Sequence, residues 1–327
     1  MMSFSLSRLS TFMLAAALCH PVAARTLPMP ANSDIIGEVT VAAAQFEDTF
    51  ADLGKRHSLG YSEMVLANPG LDPWLPGEGT AVTLPTQFLL PDVERNGIVI
   101  NLAEFRMYFF QNGTVHTFPV GVGTDDNPSP LKSSFISTRV SQPTWYPPES
   151  IRQEHLRNGE LLPKVVPPGP ENPLGPYAMR LGATSYLIHG SNKKFGIGLR
   201  VSHGCIRMYN EDVERLFNTV PIGTPVRIID DAVKVGLHEG QVWMEVHMPV
   251  EPPADEAFRL RLWREAEERL SNLETRHGRL QINRALVDSL IDNPDGMPRR
   301  IGEVLEGGSM VHGPAAEPML SQGNALY

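Results

Sequence analysis

The sequence predicts a mainly β protein, with a small βααβ unit before the β-rich domain and a helical extension after it. Residues 97–229 contain short strand-like runs separated by proline-rich loops, and residues 37–86 contain two helical patterns between two strand patterns. After residue 254, apolar side chains recur every three or four positions. The predicted units are therefore 37–86, 95–230, an additional hairpin at 231–250, a helical extension at 254–306 and a disordered tail at 307–327.

The small unit at 37–86 is predicted from helical patterns at 49–57 and 62–67. Ser62 is of a residue type that caps helix N-termini, and the Asn-Pro-Gly sequence at 68–70 is typical of a helix end. Strand-like runs at 39–41 and 80–84 flank the two helices, so the order strand, helix, helix, strand is expected.

The β-rich domain begins with strands predicted at 98–102, 106–110 and 114–118. Gln111-Asn-Gly113 separates the last two strands and indicates a tight hairpin turn. Asn210 is the predicted N-cap of one helix in this domain. The remaining predicted features are proline-rich loops at 127–130, 142–148 and 165–170, and strands at 178–181, 186–189 and 223–229.

The C-terminal part is predicted to form a hairpin at 234–247 and a helix at 254–290. One face of that helix carries an apolar stripe formed by Phe258, Leu262, Ala266, Leu270 and Leu273. We expect this stripe to pack on the β-rich domain, and the alternative is a helix that binds a partner protein.

The first residues have the pattern of an export signal. Arg8 supplies a positive charge, residues 11–19 form a short apolar run, and Val22-Ala-Ala24 offers a cleavage site after Ala24. A signal peptide over 1–24 and a periplasmic protein are therefore expected. The alternatives are a buried N-terminal helix, or lipidation at Cys19, where Leu18 occupies a position that normally carries a small residue. The apolar run is too short to span a bilayer, and no later stretch is apolar enough.

Composition and charge narrow the function classes. The chain of 327 residues is 42% hydrophobic, which is sufficient for a buried core, and its formal net charge is −9. Because no run of Lys or Arg offsets this negative charge, we expect no nucleic-acid partner.

Cys205 is the only cysteine expected in the exported protein, and His189 precedes it by sixteen positions. A single thiol in an oxidising compartment cannot form an internal disulfide, so it is either buried or reactive. His189 stands before Gly190 at a predicted strand end, where it could accept the thiol proton. Gly204 permits unusual backbone angles, and the amides of residues 203–205 could bind an oxyanion. This pattern favours a cysteine acyl-transfer site.

Two other interpretations fit the same residues. Cys205 could be an unreactive core residue, since histidine and cysteine often have no catalytic role. Alternatively, His189, His203 and Cys205 could bind zinc, although the spacing of His203 and Cys205 is not that of a usual zinc finger.

Residues 66–76 and 79–85, with Phe46-Glu-Asp-Thr49 as a degenerate opening, resemble a LysM peptidoglycan-binding module. The resemblance covers about fifty residues and is better in the C-terminal half. It implies that the small unit binds the glycan of the cell wall, and the alternative is a spacer that only packs against the next domain.

Ser202-His-Gly-Cys205, with His189 upstream, resembles the signature of the L,D-transpeptidase (YkuD) catalytic domain. Further motifs resemble the ErfK/YbiS branch, which attaches Braun-type lipoprotein to peptidoglycan or forms related L,D-linkages. These motifs lie at 90–92, 97–104, 143–145, 172–175, 195–198 and 205–207. The resemblance extends to about residue 250 and implies a β-sandwich or barrel-like catalytic domain.

The resemblance also implies roles for individual residues. Cys205 would be the nucleophile, and His189 would transfer the proton. The carbonyl of Gly190 or of a neighbouring residue would orient the imidazole, and no carboxylate of the motif is assigned to that third role. Ser202, His203 and Gly204 would line the site, and Trp145 would contact substrate. Arg207 would either bind a substrate carboxylate or brace the loop.

The implied partners are peptidoglycan and a Braun-type lipoprotein, with no metal and no organic cofactor. The implied reaction transfers the acyl group of a tetrapeptide stem through a Cys205 thioester to a lipoprotein lysine or to an amine of a second stem. The alternatives are an L,D-carboxypeptidase or amidase that uses the same residues with water as acceptor, and a non-catalytic wall-binding scaffold.

Overall fold

A computed structural model describes residues 26–193, 195–249 and 255–305. The predicted signal peptide, with Cys19, and the predicted tail at 307–327 lie outside the described residues. None of the helices in the described part combines the length and apolar composition that a membrane span requires.

The fold is mainly β, as predicted. The helices are α1 (Phe50–His57), α2 (Tyr61–Ala67), α3 (Glu149–Arg157), α4 (Asn210–Thr219), α5 (Glu256–His277) and α6 (Arg284–Asp292). The strands are β1 (Thr26–Pro28), β2 (Ile35–Gly37), β3 (Thr40–Ala43), β4 (Ala81–Leu84), β5 (Gln87–Leu89), β6 (Gly97–Asn101), β7 (Arg106–Gln111), β8 (Thr114–Pro119), β9 (Val122–Gly123), β10 (Ser133–Ser141), β11 (Tyr177–Leu181), β12 (Leu187–His189), β13 (Arg200–Ser202), β14 (Ile206–Arg207), β15 (Pro225–Ile229), β16 (Val233–His238), β17 (Gln241–Val246), β18 (Leu280–Ile282) and β19 (Arg299–Val304).

The central layer is a nine-stranded sheet in the order β1-β8-β7-β6-β15-β10-β11-β12-β14, and β9 pairs with β13 beside it. The predicted hairpin is present between β7 and β8. Its turn residues Asn112 and Gly113 have φ values of 50° and 72°, which is the backbone that a tight two-residue turn requires. The apolar face of the sheet packs against α4 through residues such as Val213 and Leu216, which are fully buried.

Strand β10 and helix α3 are the two longest elements of the β-rich domain that the sequence prediction lacks. Strand β10 joins the two halves of the sheet by pairing with β15 and β11. Its side chains are mostly exposed, with Ile136 alone fully buried, so it lacks the apolar signal of a core strand. Helix α3 buries none of its residues and therefore also shows no apolar stripe.

The N-terminal unit has the order β3, α1, α2, β4, and its two strands pair antiparallel. Thr49 caps α1, but the prediction that Ser62 caps α2 is wrong, because Gly60 is the N-cap. The Ser62 hydroxyl instead donates a hydrogen bond of 2.6 Å to the Gly198 carbonyl in the β-rich domain. The capping prediction failed because this hydroxyl is used for a long-range contact.

The N-terminal unit shares its core with the sheet, as Phe50 and Leu53 of α1 lie in one buried cluster with Tyr108 and Phe110 of β7. A buried ion pair reinforces the junction, since the Arg106 guanidinium donates to Glu63 at 2.6 and 2.7 Å. These contacts join the two units over a continuous packed surface.

The C-terminal part forms a second sheet in the order β16-β17-β19-β18. The predicted hairpin is its first pair, but the prediction of a purely helical segment at 254–306 is wrong, because β18 and β19 complete the sheet. Strand β19 carries four charged or glycine residues around one fully buried side chain, Ile301, which gives a weak strand signal. The predicted helix ends at His277, before Gly278 at a φ of 92°.

The apolar stripe of α5 packs on this second sheet and not on the β-rich domain as predicted. Leu262 and Ala266 are fully buried and belong to one cluster with Val233 and Val235 of β16. Since the hairpin and α5 are consecutive in the chain, the stripe meets the hairpin first.

Candidate active site

The predicted catalytic residues lie where β11, β12 and β14 end the nine-stranded sheet. The register aligns Met179, Ile188 and Ile206 across the three strands. All three side chains are buried in the core of the sheet. Because side chains alternate along a strand, their chain neighbours point to the opposite, outer face.

Two rows of side chains cross this outer face. His189 lies opposite Arg207 in one row, and Leu187 lies opposite Arg180 in the next. When the β12–β14 register is continued by one residue, Cys205 lies beside Leu187. Cys205 and His189 are therefore diagonal neighbours on the same face of the sheet.

Cys205 opens into a cleft of about 530 Å³. The thiol itself is partly buried. The walls of the cleft come from the 144–151 region, from β11 and from the β12 edge, and include Trp145, Tyr146, Arg180, Tyr186 and His203. The cleft gives a substrate access to the sulfur from one side.

Gly204 is required by the turn that presents Cys205. Its φ is 93°, and a Cβ at this position would lie 2.5 Å from the Tyr186 ring. The Ser202 hydroxyl accepts a hydrogen bond from the Gly204 amide at 3.1 Å and donates to the Cys205 carbonyl at 2.6 Å. Ser129, which is 3% exposed, donates to the Gly204 carbonyl at 3.0 Å. The backbone of the turn is held by these hydroxyls.

The Gly204 amide is occupied by Ser202 and is therefore not free to bind an oxyanion, contrary to part of the sequence expectation. Ser202 and Gly204, which were expected to line the site, both shape the turn that carries Cys205. The amides of His203 and Cys205 stay as candidates for oxyanion donors.

His189 is buried, and its Nδ1 lies 2.7 Å from the Gly190 carbonyl oxygen. A carbonyl can only accept a hydrogen bond, so this contact assigns the proton of the neutral imidazole to Nδ1. The Nε2 lone pair is then available as a base. Burial, assisted by the positive charge of Arg207, lowers the pKa of His189 to about 4, so the ring is neutral at physiological pH.

The thiol is also biased towards its neutral form. Burial raises the pKa of Cys205, while a backbone hydrogen bond from Leu187 and the charge of Arg207 act in the opposite direction. The resting site is therefore a neutral thiol beside a neutral imidazole, and not a thiolate–imidazolium pair. A neutral thiol can act as a nucleophile only if its proton passes to a base, and an unprotonated Nε2 of His189 can accept a proton.

Asn210 supports the turn that follows His189. The prediction that it caps α4 is wrong, since Tyr209 is the N-cap. Its Oδ1 instead accepts a hydrogen bond of 2.9 Å from the Ser191 amide. A Cβ on Gly190 would lie 2.4 Å from that same oxygen, which explains why a glycine follows His189.

His203 lines the cleft, as predicted, and its Nε2 lies 2.7 Å from Glu154 Oε2. This carboxylate comes from α3, which the sequence prediction did not include. The hydrogen bond to His203 lowers the pKa of Glu154. The pair ties α3 to the Cys205 turn and shapes one wall of the cleft.

The two predicted substrate-binding residues differ in position. Trp145 lines the cleft beside Cys205, whereas Arg207 does not line it. Arg207 faces His189 across the strand pair, where its charge affects both pKa values. Sequence reasoning missed Tyr186, Arg180 and Ser129, although Ser129 lies in the proline-rich loop predicted at 127–130.

The zinc interpretation is not supported by the described residues. His189, His203 and Cys205 do not bring their ligand atoms together there, and the one group of potential metal ligands is Glu104, Glu245 and His247. That group already surrounds an ammonium, because Lys234 Nζ lies 2.5 and 2.6 Å from the two carboxylates.

Comparison of the sequence with known proteins identifies its family. The family model of the L,D-transpeptidase catalytic domain (YkuD) matches residues 95–228. The probable L,D-transpeptidase YbiS of Escherichia coli K12 is 37% identical over 295 residues, which are 86% of this chain and 94% of that protein. The chain belongs to the L,D-transpeptidase family.

Further relatives place this L,D-transpeptidase in the ErfK/YbiS branch. The probable L,D-transpeptidase ErfK/SrfK of the same strain is 43% identical over 241 residues, covering 71% of this chain and 76% of that protein.

Among solved structures, an L,D-transpeptidase of Enterococcus faecium aligns at 21% identity with a TM-score of 0.34, over 45% of this chain and 55% of that one.

Proposed function

We propose that this L,D-transpeptidase transfers the acyl group of a peptidoglycan tetrapeptide stem through a thioester on Cys205. The observation that carries the proposal is the arrangement of Cys205 and His189 on one face of the sheet, with His189 Nδ1 held by the Gly190 carbonyl. That contact leaves Nε2 as the base for the thiol. Membership of the family supports the reaction class.

In the first half-reaction, Cys205 Sγ attacks the carbonyl carbon of the third-position diamino acid, and a carbon–sulfur bond forms. The thiol proton passes to His189 Nε2. The tetrahedral intermediate collapses, the carbon–nitrogen bond breaks, and His189 returns the proton to the nitrogen of the leaving D-alanine. The backbone amides of His203 and Cys205 are the proposed donors to the oxyanion.

In the second half-reaction, an amine attacks the thioester carbonyl and gives its proton to His189. The carbon–sulfur bond then breaks, and the proton returns to sulfur. The acceptor is the lysine of a Braun-type lipoprotein or the side-chain amine of a second stem. Neither step calls for a metal or an organic cofactor, because the thiol and the imidazole supply nucleophile and base.

The proposal places the protein in the periplasm, since its substrate is the cell wall and its N-terminal sequence has the pattern of a signal peptide. The LysM resemblance of the N-terminal unit further suggests that this unit binds glycan. It would hold the sugar strand while the stem peptide enters the Cys205 cleft.

The test compares the purified wild-type protein with Cys205→Ala on tetrapeptide muropeptides, with and without a peptide that ends in lysine. We expect the wild type to release D-alanine, to show the mass of an acylated protein when the reaction is quenched, and to form a lysine-linked product. Cys205→Ala should show none of these.

Three results would contradict this proposal in different ways. Equal product profiles for the two proteins would exclude Cys205 as the nucleophile. If the tripeptide stem is the only product, both with and without the lysine peptide, the protein is a carboxypeptidase that uses water as the acceptor. A wild type that binds sacculi but releases no D-alanine would indicate a wall-binding scaffold.

A further inference from the structure

Arg180 is an exposed cation in the same cross-strand row as Cys205. It pairs with Leu187 on β12. Continuing the β12–β14 register by one residue places Cys205, which precedes β14, beside Leu187. Two strand spacings separate the backbones of Arg180 and Cys205, about 10 Å in all. Because all three side chains leave the sheet on one face, the guanidinium and the thiol serve the same cleft, and both line it.

Arg180 has no counterion among the described residues. Among the described residues that line the cleft, none carries a carboxylate, and no ion pair joins Arg180 to the described acidic residues. His203, the neighbouring basic side chain, is already paired with Glu154 at 2.7 Å. Arg180 thus offers an open set of planar donors at the site where substrate enters.

Arg207, by contrast, is turned towards the catalytic pair. It lies opposite His189, does not line the cleft and is partly buried. Its charge acts on the pKa values of His189 and Cys205. The two arginines therefore have different positions, and of the two only Arg180 lines the cleft.

We propose that Arg180 is a specificity-determining residue that binds a carboxylate of the donor stem next to the scissile bond. This inference rests on the proposed function. Two carboxylates of the stem satisfy the chemistry, namely the terminal carboxylate of the leaving D-alanine and the side-chain carboxylate of a diaminodicarboxylic acid at the third position. A guanidinium binds either one through two parallel N–H···O bonds, which orient the scissile carbonyl towards Cys205.

The test measures release of the C-terminal residue by the wild type, Arg180→Gln and Arg180→Lys from three donor stems. One stem is native, one ends in D-alaninamide, and one has the side-chain carboxylate of the diamino acid amidated. We expect Arg180→Gln to lower kcat/KM for the native stem by roughly tenfold to a hundredfold, mainly through KM, and Arg180→Lys to lose less.

The amidated stems identify the carboxylate. On the stem that lacks the bound carboxylate, the wild type should fall to the level of Arg180→Gln, and the two proteins should differ by less than about twofold. Arg227→Gln is the matched control, because Arg227 is a strand arginine that pairs with Glu94 away from the cleft. It should behave as the wild type on all three stems.

Two outcomes overturn this inference alone. One is a wild type that turns over the native stem while Arg180→Gln matches it in kcat/KM. The other is an Arg180→Gln loss of equal size on all three stems, which would indicate a structural role. A wild type that releases nothing from the native stem would refute the proposed function, and this inference with it.

Discussion

Two of the buried polar centres among the described residues differ in how they hold charge. At the active site, His189 has no described carboxylate partner, and the pKa values of His189 and Cys205 both shift towards the neutral forms. At the junction with the second sheet, Lys234 is fully buried between Glu104 and Glu245. There the two carboxylates outweigh the effect of burial and raise the pKa of Lys234.

The difference shows that burial alone does not decide whether a group is charged. A buried group stays charged where opposite charges surround it, and becomes neutral where they are absent. The charged arrangement around Lys234 lies at the junction between the two sheets. The neutral arrangement of His189 and Cys205 leaves a base and a thiol proton that the proposed reaction would use.

Lys234→Met tests the charged centre formed by Lys234, Glu104 and Glu245, and it should give the largest change in the free energy of unfolding. It removes the ammonium and leaves the buried Glu104 and Glu245 with His247 as their basic neighbour, at 3.6 and 2.6 Å, which should cost about 3–5 kcal/mol in the free energy of unfolding. Urea unfolding followed by tryptophan fluorescence measures this cost. Lys55→Met, at an exposed pair with Glu211, is the control and should cost less than about 1 kcal/mol. Equal costs for the two variants would contradict the role assigned to Lys234.

Gly204→Ala tests the neutral centre formed by Cys205 and His189. It asks whether the position of the Cys205 thiol depends on backbone geometry and not on charge pairs. The new methyl group would strain a φ of 93° and collide with Tyr186, so Cys205 should move. A displacement near 1 Å is expected to lower kcat for D-alanine release by about a hundredfold.

The matched control is Gly113→Ala. It has a φ of 72° but open space around the Cβ position, far from the cleft along the β7–β8 hairpin. It should lower stability modestly and leave kcat unchanged. A Gly204→Ala enzyme with kcat within twofold of the wild type would show that the turn tolerates a side chain.

Arg207→Gln should have the smallest effect and a specific pH signature. Removing the cation raises the pKa of His189 from about 4 and raises that of Cys205 further. Since His189 acts as a base only when unprotonated, the acidic limb of kcat/KM should move to higher pH. At pH 5 the loss relative to neutral pH should be on the order of twofold. An unshifted acidic limb would place Arg207 outside the electrostatics of the catalytic pair.

Sequence patterns predicted the strong local features of the fold. The β7–β8 turn was predictable because Asn112 and Gly113 are suited to positive φ, and the α5 stripe because its apolar spacing is regular. The prediction of Cys205 and His189 as the catalytic pair came from one short motif and its family resemblance, whereas the contact of His189 with the Gly190 carbonyl was assigned by the structure.

The features that were missed depend on distant parts of the chain. Ser62 and Asn210 are residue types that often cap helices. Here the Ser62 hydroxyl instead donates to the Gly198 carbonyl, and Asn210 Oδ1 accepts from the Ser191 amide. Strand β10 is recognised only by its partners on both sides, because its own pattern is largely polar. Arg180 acquires its position from the pairing of three strands, which no local window of sequence contains.

The shared core of the N-terminal unit and the sheet has a consequence for how the protein meets the cell wall. A module on a flexible tether would raise the local concentration of enzyme on the glycan without setting its orientation. Here Arg106, Glu63 and the cluster around Phe50 fix the unit to the enzyme. If the unit holds a sugar strand, the distance and angle from that strand to Cys205 are constant. The enzyme can then react only with those stems that the glycan presents at this distance and angle.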